Sequence, residues 1–258
     1  AFGSSVLATA NVLMASVFNP GEVIIEHAAC EPEIICLAHF MKAMGARISG
    51  EGTPLITVKG VTRLNGCEFS VIPDRIEAGT FIAAALATKS HITIEGVETG
   101  HLTSVLNISE QIGATLALKN NSSIDIRADK LRPVNITTLP YPGFPTDLQA
   151  QFMSCLCFAK GTSLITEKIY PDRFMHVAEL NRMGASIQRS GPYAIIEGKQ
   201  KLYGAETMAS DLRASAALVV GALAAEGKSQ ILRVYHIDRG YENIENKFNK
   251  LGAKVKRV

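Results

Sequence analysis

Asp147 is the acidic residue whose surroundings most invite chemistry. It closes the run Tyr141-Pro142-Gly143-Phe144-Pro145-Thr146-Asp147, in which two prolines and a glycine shape the backbone just before the carboxylate. A carboxylate presented rigidly can act as a general base when a reacting hydroxyl comes within hydrogen-bond reach. The same residue at a helix start would also complement the helix dipole, and spacing alone leaves both readings open. Arginines accompany aspartates at Asp74-Arg75, Asp172-Arg173, Asp211-Leu212-Arg213 and Asp238-Arg239, each of which reads as a helix start. A cation in a first turn opposes the dipole at a cost of about 0.3–1 kcal/mol. For any single pair, a local salt bridge to the neighbouring aspartate accounts for it. The set favours helix ends that share a region of positive potential, suited to phosphate or carboxylate.

Other constellations carry less. His27, Cys30, Cys36 and His39 have the types of metal ligands, but their spacing matches no common zinc pattern, and packing explains Cys36 and His39 on one helix. Cys155 and Cys157 stand two apart on a helix, so they face different directions and do not form a redox pair. There is no Walker loop, no assignable Ser-His-Asp set and no glycine-rich dinucleotide fingerprint. No metal or prosthetic group is indicated.

The elements that must position these residues recur along the chain. An apolar residue followed by Gly-Ala occurs at Met44-Gly45-Ala46, Ile112-Gly113-Ala114, Met183-Gly184-Ala185 and Leu251-Gly252-Ala253, with glycine spacings of 68, 71 and 68. Each pair ends a helical pattern, where glycine suits a left-handed cap, and an alternating strand-like run follows, as in 185–188 and 253–256. Midway between pairs, Pro73-Asp74-Arg75-Ile76-Glu77, Pro145-Thr146-Asp147-Leu148-Gln149 and Ser210-Asp211-Leu212-Arg213 each open an apolar helix. The first two read as capping boxes, with Asp74 or Thr146 as the cap and Glu77 or Gln149 three residues on. A unit of about 70 residues alternating strands and helices predicts an α/β fold. The first copy is preceded by its own helix (8–18) and strand (23–26), and the last stops just after its Gly-Ala pair. Together with an initial Ala1, this is expected of an array that lacks upstream repeats.

Composition sets the outer bounds. The 258 residues are 47% hydrophobic and 19% charged, with a net charge of +2, enough apolar content to bury a core and no charge block that would mark a nucleic-acid or anionic-membrane surface. The longest apolar stretch, 214–225, is too short to span a bilayer and suits a buried helix. Five cysteines fit a reducing cytoplasm, and the absence of tryptophan argues against a stacking platform for single-stranded nucleic acid.

Several segments resemble the UDP-N-acetylglucosamine 1-carboxyvinyltransferase family of enolpyruvyl transferases: Phe144 to Phe152, Arg173-Phe174-Met175-His176-Val177, Asp211 to Ala216 and His236 to Glu242. Ala28-Ala29-Cys30-Glu31-Pro32-Glu33 and Pro73 to Phe81 belong to the same pattern, and the resemblance runs from about Ser4 to Val258. It implies an inside-out α/β barrel, with residues 1–72 as the last repeat of a first domain and 73–258 as a nearly complete second one. It also implies a cytoplasmic enzyme of peptidoglycan synthesis that moves the enolpyruvyl group of phosphoenolpyruvate to the 3-hydroxyl of UDP-N-acetylglucosamine. By similarity, Asp147 contacts that hydroxyl as its base, and Arg239 stands near phosphoenolpyruvate. Arg173, Asp211 and Arg213 line the same cleft, which lies between the two domains. Ser5 and Val6 match a nucleotide-sugar segment, and Ile169 a backbone contact to the same substrate.

The chain departs from the family at Gly3, where lysine is typical, and at Leu7, where glycine is typical. The family's Lys-Asn pair and reactive-cysteine loop have no match here, so the missing N-terminal portion is a required partner. Two alternatives follow: a 5-enolpyruvylshikimate-3-phosphate synthase-like enzyme, or a non-catalytic remnant that binds nucleotide sugar. Coding sequence upstream separates a fragment from a remnant. The purified 258-residue chain, incubated with UDP-N-acetylglucosamine and phosphoenolpyruvate, is expected to release no phosphate; measurable product would overturn that expectation.

Overall fold

The computed structural model describes residues 4–199 and 201–258, so the Gly3 departure lies outside the described residues. The chain divides into two compact units, one taking residues up to Pro73 together with Pro140–Gly143, the other Asp74–Leu139 and Phe144–Val258.

The first unit runs α1 (Val6–Ser16), β1 (Glu22–Glu26), α2 (Pro32–Ala43), β2 (Arg47–Ser49) and β3 (Leu55–Lys59). Ser5 caps α1 by accepting from the Ala8 N–H, and Pro32 starts α2 at a position where its missing N–H costs nothing. The strands form an antiparallel sheet in the order β1-β3-β2, and Ile48, Ile56 and Val58 turn inward against Leu13, Ile34 and Met41.

The second unit is built in three similar passes. The first is α3 (Arg75–Thr88), β4 (His91–Glu95), α4 (Thr103–Ile112), β5 (Ala114–Asn120), β6 (Ser123–Ala128) and β7 (Asn135–Thr137). The second is α5 (Gln149–Leu156), β8 (Gly161–Thr166), α6 (His176–Arg182), β9 (Ser186–Ser190), β10 (Tyr193–Gly198) and β11 (Glu206–Met208), and the third is α7 (Leu212–Ala224), β12 (Gln230–Leu232) and α8 (Ile244–Lys250). Strand orders are β4-β6-β5, β7-β8-β10-β9 and β11-β12, with β7–β8 and β11–β12 parallel and the other pairs antiparallel. The fold is therefore mixed α/β, as expected.

Helices α3, α5 and α7 pack on one another at the centre of this unit and are buried over most of their length. Apolar residues spread around α3 and α7, which suits a core position rather than a surface one, while α5 also buries Gln149, Gln151 and Ser154. Asp74 caps α3 through the N–H groups of Ile76 and Glu77 (2.7 and 3.1 Å), and Asp211 caps α7 through those of Arg213 and Ala214 (2.8 and 2.9 Å). Close approach of the helices needs glycine. A Cβ on Gly79 of α3 would stand 2.2 Å from Cδ1 of Leu148, and one on Gly221 of α7 would stand 2.9 Å from Oγ of Ser154. The sheets turn alternate residues toward these helices, Ile124 and Ile126 in β6 and Ala194 and Ile196 in β10.

The four Gly-Ala pairs behave alike, with Gly45, Gly113, Gly184 and Gly252 all at φ between 94° and 119°. At three of them the alanine N–H reaches back five residues to a helix carbonyl, Ala46 to Met41, Ala185 to Leu180 and Ala253 to Phe248. A finer repeat accompanies the last two pairs, each with an asparagine three residues before its glycine. Asn181 brackets the backbone of Ile187 through two hydrogen bonds, and Asn249, 68 residues on, brackets Val255 in the same way.

Four expectations need correction. Thr146 caps no helix: residues Thr146–Leu148 form a 3-10 turn before α5, and the Thr146 hydroxyl donates to Glu167. Arg173 lies in the turn ahead of α6, and Asp238-Arg239 end a 3-10 turn (Val234–Arg239), so only Arg75 and Arg213 occupy first helical turns. Residues 253–256 form no strand, because Asn249 takes the backbone groups of Val255 and no neighbouring strand pairs with them among the described residues.

Gly79→Ala is expected to destabilise the chain by about 1–3 kcal/mol, overpacking against Leu148 outweighing the better helix propensity of alanine. Urea denaturation of the two proteins checks this; equal midpoints would mean that Leu148 can yield.

Candidate functional site

The site forms around Asp147. Phe144 and Phe152 pack edge to face (5.1 Å between ring centres), while Leu148 is fully buried, so the turn that carries Asp147 is pinned on both sides. The Leu148 N–H closes the turn on the Pro145 carbonyl (3.0 Å). The carboxylate that results is held at both oxygens: Nη1 of Arg173 donates to Oδ1 at 2.6 Å and Nη2 of Arg213 to Oδ2 at 2.7 Å.

Each arginine is itself anchored. The Arg173 N–H bonds the Tyr170 carbonyl (2.9 Å), its neighbour Phe174 is buried, and Nη1 also donates to the Thr146 hydroxyl (3.1 Å). Arg213 is the second residue of α7, and its position against the helix dipole is offset by Asp211 at the cap and by Asp147. Burial alone would raise the Asp147 carboxyl, but Arg213 and then Arg173 outweigh it and hold the group below the ordinary carboxylate range. Burial opposes charge on Arg213 too, yet Asp147 and Tyr241 raise its pKa.

Behind the ion pairs lies a buried polar bridge. Gln151 Nε2 donates to the Asp147 carbonyl (3.0 Å) and reaches Thr80 Oγ1 and the Tyr241 hydroxyl (3.2 Å each), and those two hydroxyls share a bond of 2.7 Å. This bridge joins α3, α5 and the segment after the 3-10 turn 234–239. Below it, His176 is buried with Nε2 3.2 Å from the Met153 sulfur, and burial pushes its pKa down to about 4.

Of the residues singled out in the sequence, Asp147, Arg173 and Arg213 come together. Asp211 spends its carboxylate on capping α7. Ile169 exposes its side chain and gives its N–H to Glu167 (2.8 Å). Arg239 is exposed, two residues before Tyr241, and makes no ion pair among the described residues. Ser5 and Val6 belong to the first unit, at the start of α1. At three of the sites the local salt bridge does not hold: Asp172 pairs with Arg189 (2.6 Å), Asp238 with Arg257 (2.7 Å), and Arg213 with Asp147 rather than Asp211. Sequence reasoning missed Glu167 and Thr138, and it passed over Gln151 and Tyr241 although both stand in the quoted motifs.

A family model described as EPSP synthase (3-phosphoshikimate 1-carboxyvinyltransferase) matches residues 2–248. The chain belongs to this family of carboxyvinyl transferases. Within it, the chain is 50% identical over its whole length to a UDP-N-acetylglucosamine 1-carboxyvinyltransferase of Methylacidiphilum infernorum, and 51% identical over 98% of its length to one of Desulfosudis oleivorans. It spans 61% of the length of each of these relatives. Among solved structures, the enolpyruvyl transferase NikO from Streptomyces tendae has a TM-score of 0.87 at 23% identity, covering 96% of this chain and 60% of that one. EPSP synthase from Acinetobacter baumannii gives 0.74 at 21% identity, covering 99% of this chain and 62% of that one. These likenesses extend the fold assignment. No helix among the described residues is long and apolar enough to cross a membrane.

The buried imidazole makes stability depend on pH. His176 has its folded pKa depressed below the unfolded value of 6.5, so its contribution is complete above 6.5 and lost as pH falls toward about 4. Between pH 7 and pH 5 this amounts to about 2 kcal/mol of lost stability. His176→Gln is expected to flatten that part of the pH–stability curve; denaturant midpoints across the range test it, and an unchanged slope would count against a neutral buried imidazole.

Proposed function

We propose that this chain is the part of a UDP-N-acetylglucosamine 1-carboxyvinyltransferase that carries the acid–base carboxylate. The enzyme would move the enolpyruvyl group of phosphoenolpyruvate to the sugar 3-hydroxyl with release of phosphate, as a cytoplasmic step of peptidoglycan and cell-wall synthesis that serves cell shape and division. The observation that carries the reading is Asp147 held between Arg173 and Arg213, within a chain about half identical to transferases of that name. Both proposed substrates are anionic, and two guanidinium groups on anchored elements suit phosphate and carboxylate oxygens.

In the pair-bonded state each Asp147 oxygen already accepts from an arginine, so the carboxylate is a weak base. An anionic substrate that draws Arg173 and Arg213 onto its own oxygens would loosen that hold. The Asp147 pKa would then rise toward its ordinary value just as a hydroxyl comes into reach. The arginines would also stabilise negative charge on the tetrahedral adduct. Asp211 acts in this reading by capping α7 and so aiming Arg213. Because the Ile169 N–H is engaged, a backbone contact to the nucleotide sugar falls to its carbonyl. The exposed Arg239 is placed with phosphoenolpyruvate by family resemblance, as Ser5 and Val6 are with the sugar nucleotide.

The same reading takes the buried helices α3, α5 and α7 with their flanking sheets as an inside-out barrel. It takes residues 73–258 as the second domain of the enzyme and 1–72 as the last repeat of the first. Turnover then needs the part of the relatives' length that this chain does not span. A second reading, 3-phosphoshikimate as acceptor, is favoured by the description of the family model. Calorimetric titration separates the two: UDP-N-acetylglucosamine is expected to bind saturably and more tightly than shikimate 3-phosphate, with Arg213→Ala weakening binding about tenfold or more. The opposite preference would replace the amino-sugar reading with the shikimate one.

A further inference from the structure

Glu167 follows the last residue of β8 and is completely buried, 0% exposed. A buried carboxylate costs several kcal/mol unless donors satisfy it. Here Oε1 accepts from Thr138 Oγ1 (2.6 Å) and from the N–H groups of Ile169 (2.8 Å) and Tyr170 (3.0 Å), while Oε2 accepts from Thr146 Oγ1 (2.9 Å). Among the described residues no ion pair involves Glu167, so its direct hydrogen-bond partners are all neutral donors.

The donors belong to the segments that border Asp147. Thr146 is its immediate neighbour, and Ile169 and Tyr170 lead into Arg173. Hydroxyl directionality makes this more than scaffolding. Thr146 has one proton, and that proton goes to Glu167, so toward Arg173 the hydroxyl can only accept. It does accept, from the Arg173 Nη1 that also donates to Asp147 Oδ1. The order of bonds therefore runs from Glu167 through Thr146 to Arg173 and then to Asp147.

We propose that Glu167 is a positioning residue for the carboxyvinyl transfer, setting Asp147 through Thr146 and Arg173, and setting the Ile169–Tyr170 backbone that borders the sugar site. This rests on the function proposed above. Glutamine at the position keeps the shape but supplies one acceptor and one donor. With its oxygen kept by the two backbone N–H groups, its NH2 faces Thr146 and turns that hydroxyl round. The Thr146 proton then confronts the Arg173 N–H, and Arg173 swings away from Asp147.

The test uses the 258-residue chain with Glu167→Gln, Thr146→Val, the double variant and Glu226→Gln as a surface control. UDP-N-acetylglucosamine affinity, measured by calorimetry, is expected to fall about tenfold in each single variant, no further in the double variant, and not at all in the control. Independent losses that multiply in the double variant, or wild-type affinity in Glu167→Gln, would overturn the proposal. A ligand-free carboxyl titration by 13C NMR provides a readout independent of the substrate. The Asp147 midpoint is expected to move up in Glu167→Gln and Thr146→Val as Arg173 departs, and unchanged midpoints overturn the positioning role. If the wild-type chain binds no nucleotide sugar while the midpoint still moves, the functional reading fails and the positioning stands. Should Glu167→Gln not fold, Thr146→Val alone decides between these outcomes.

Discussion

Three buried helices share the core of the second unit, and their close packing sets where Asp147 and Arg213 begin. Gly79 and Gly221 let α3 and α7 come within side-chain contact of Leu148 and Ser154. Interiors packed at this density transmit displacement rather than absorb it. Leu148 is locked in that contact, so Asp147 beside it has little freedom, and the start of α7 delivers Arg213 to the opposite carboxylate oxygen. The chemistry is carried on short turns, but the geometry belongs to the helices beneath them.

Around that core, charge is managed by strict pairing. Asp147 is shared by two arginines, Asp211 is spent on a helix cap, and Glu167 is balanced by hydroxyl and backbone donors. Each solution satisfies a partly or wholly buried acid by a different physical means. Only the Asp147 arrangement leaves a group whose partners an anion can take over. The others have partners fixed in the backbone or in the core, and their role is to hold.

The repeat was legible because it depends on local backbone chemistry. A glycine at φ near 100° after α2, α4, α6 and α8 leaves a visible Gly-Ala signature, and Asp74 and Asp211 stand where a cap must stand. The capping box read at Thr146 failed because a long-range partner, Glu167, took the hydroxyl. Arg173 and Arg239 were misplaced by a related error: an Asp-Arg pair looks the same at a helix start and in a turn, and only the neighbouring hydrogen bonds distinguish them. Glu167 left no sequence signal, since an acidic residue after an alternating strand ordinarily faces water.

Residue order by itself determined the α/β class, the unit of about 70 residues and the helix caps at Asp74 and Asp211, because each follows from interactions within a few positions of the chain. Tertiary structure alone decided which acid meets which base. Asp147 finds Arg173 26 residues away and Arg213 66 residues away, while the adjacent Asp172 and Asp238 pair with Arg189 and Arg257. Electrostatic partners are chosen by distance in space and by the loss of competing water on burial, and neither quantity is written in local spacing.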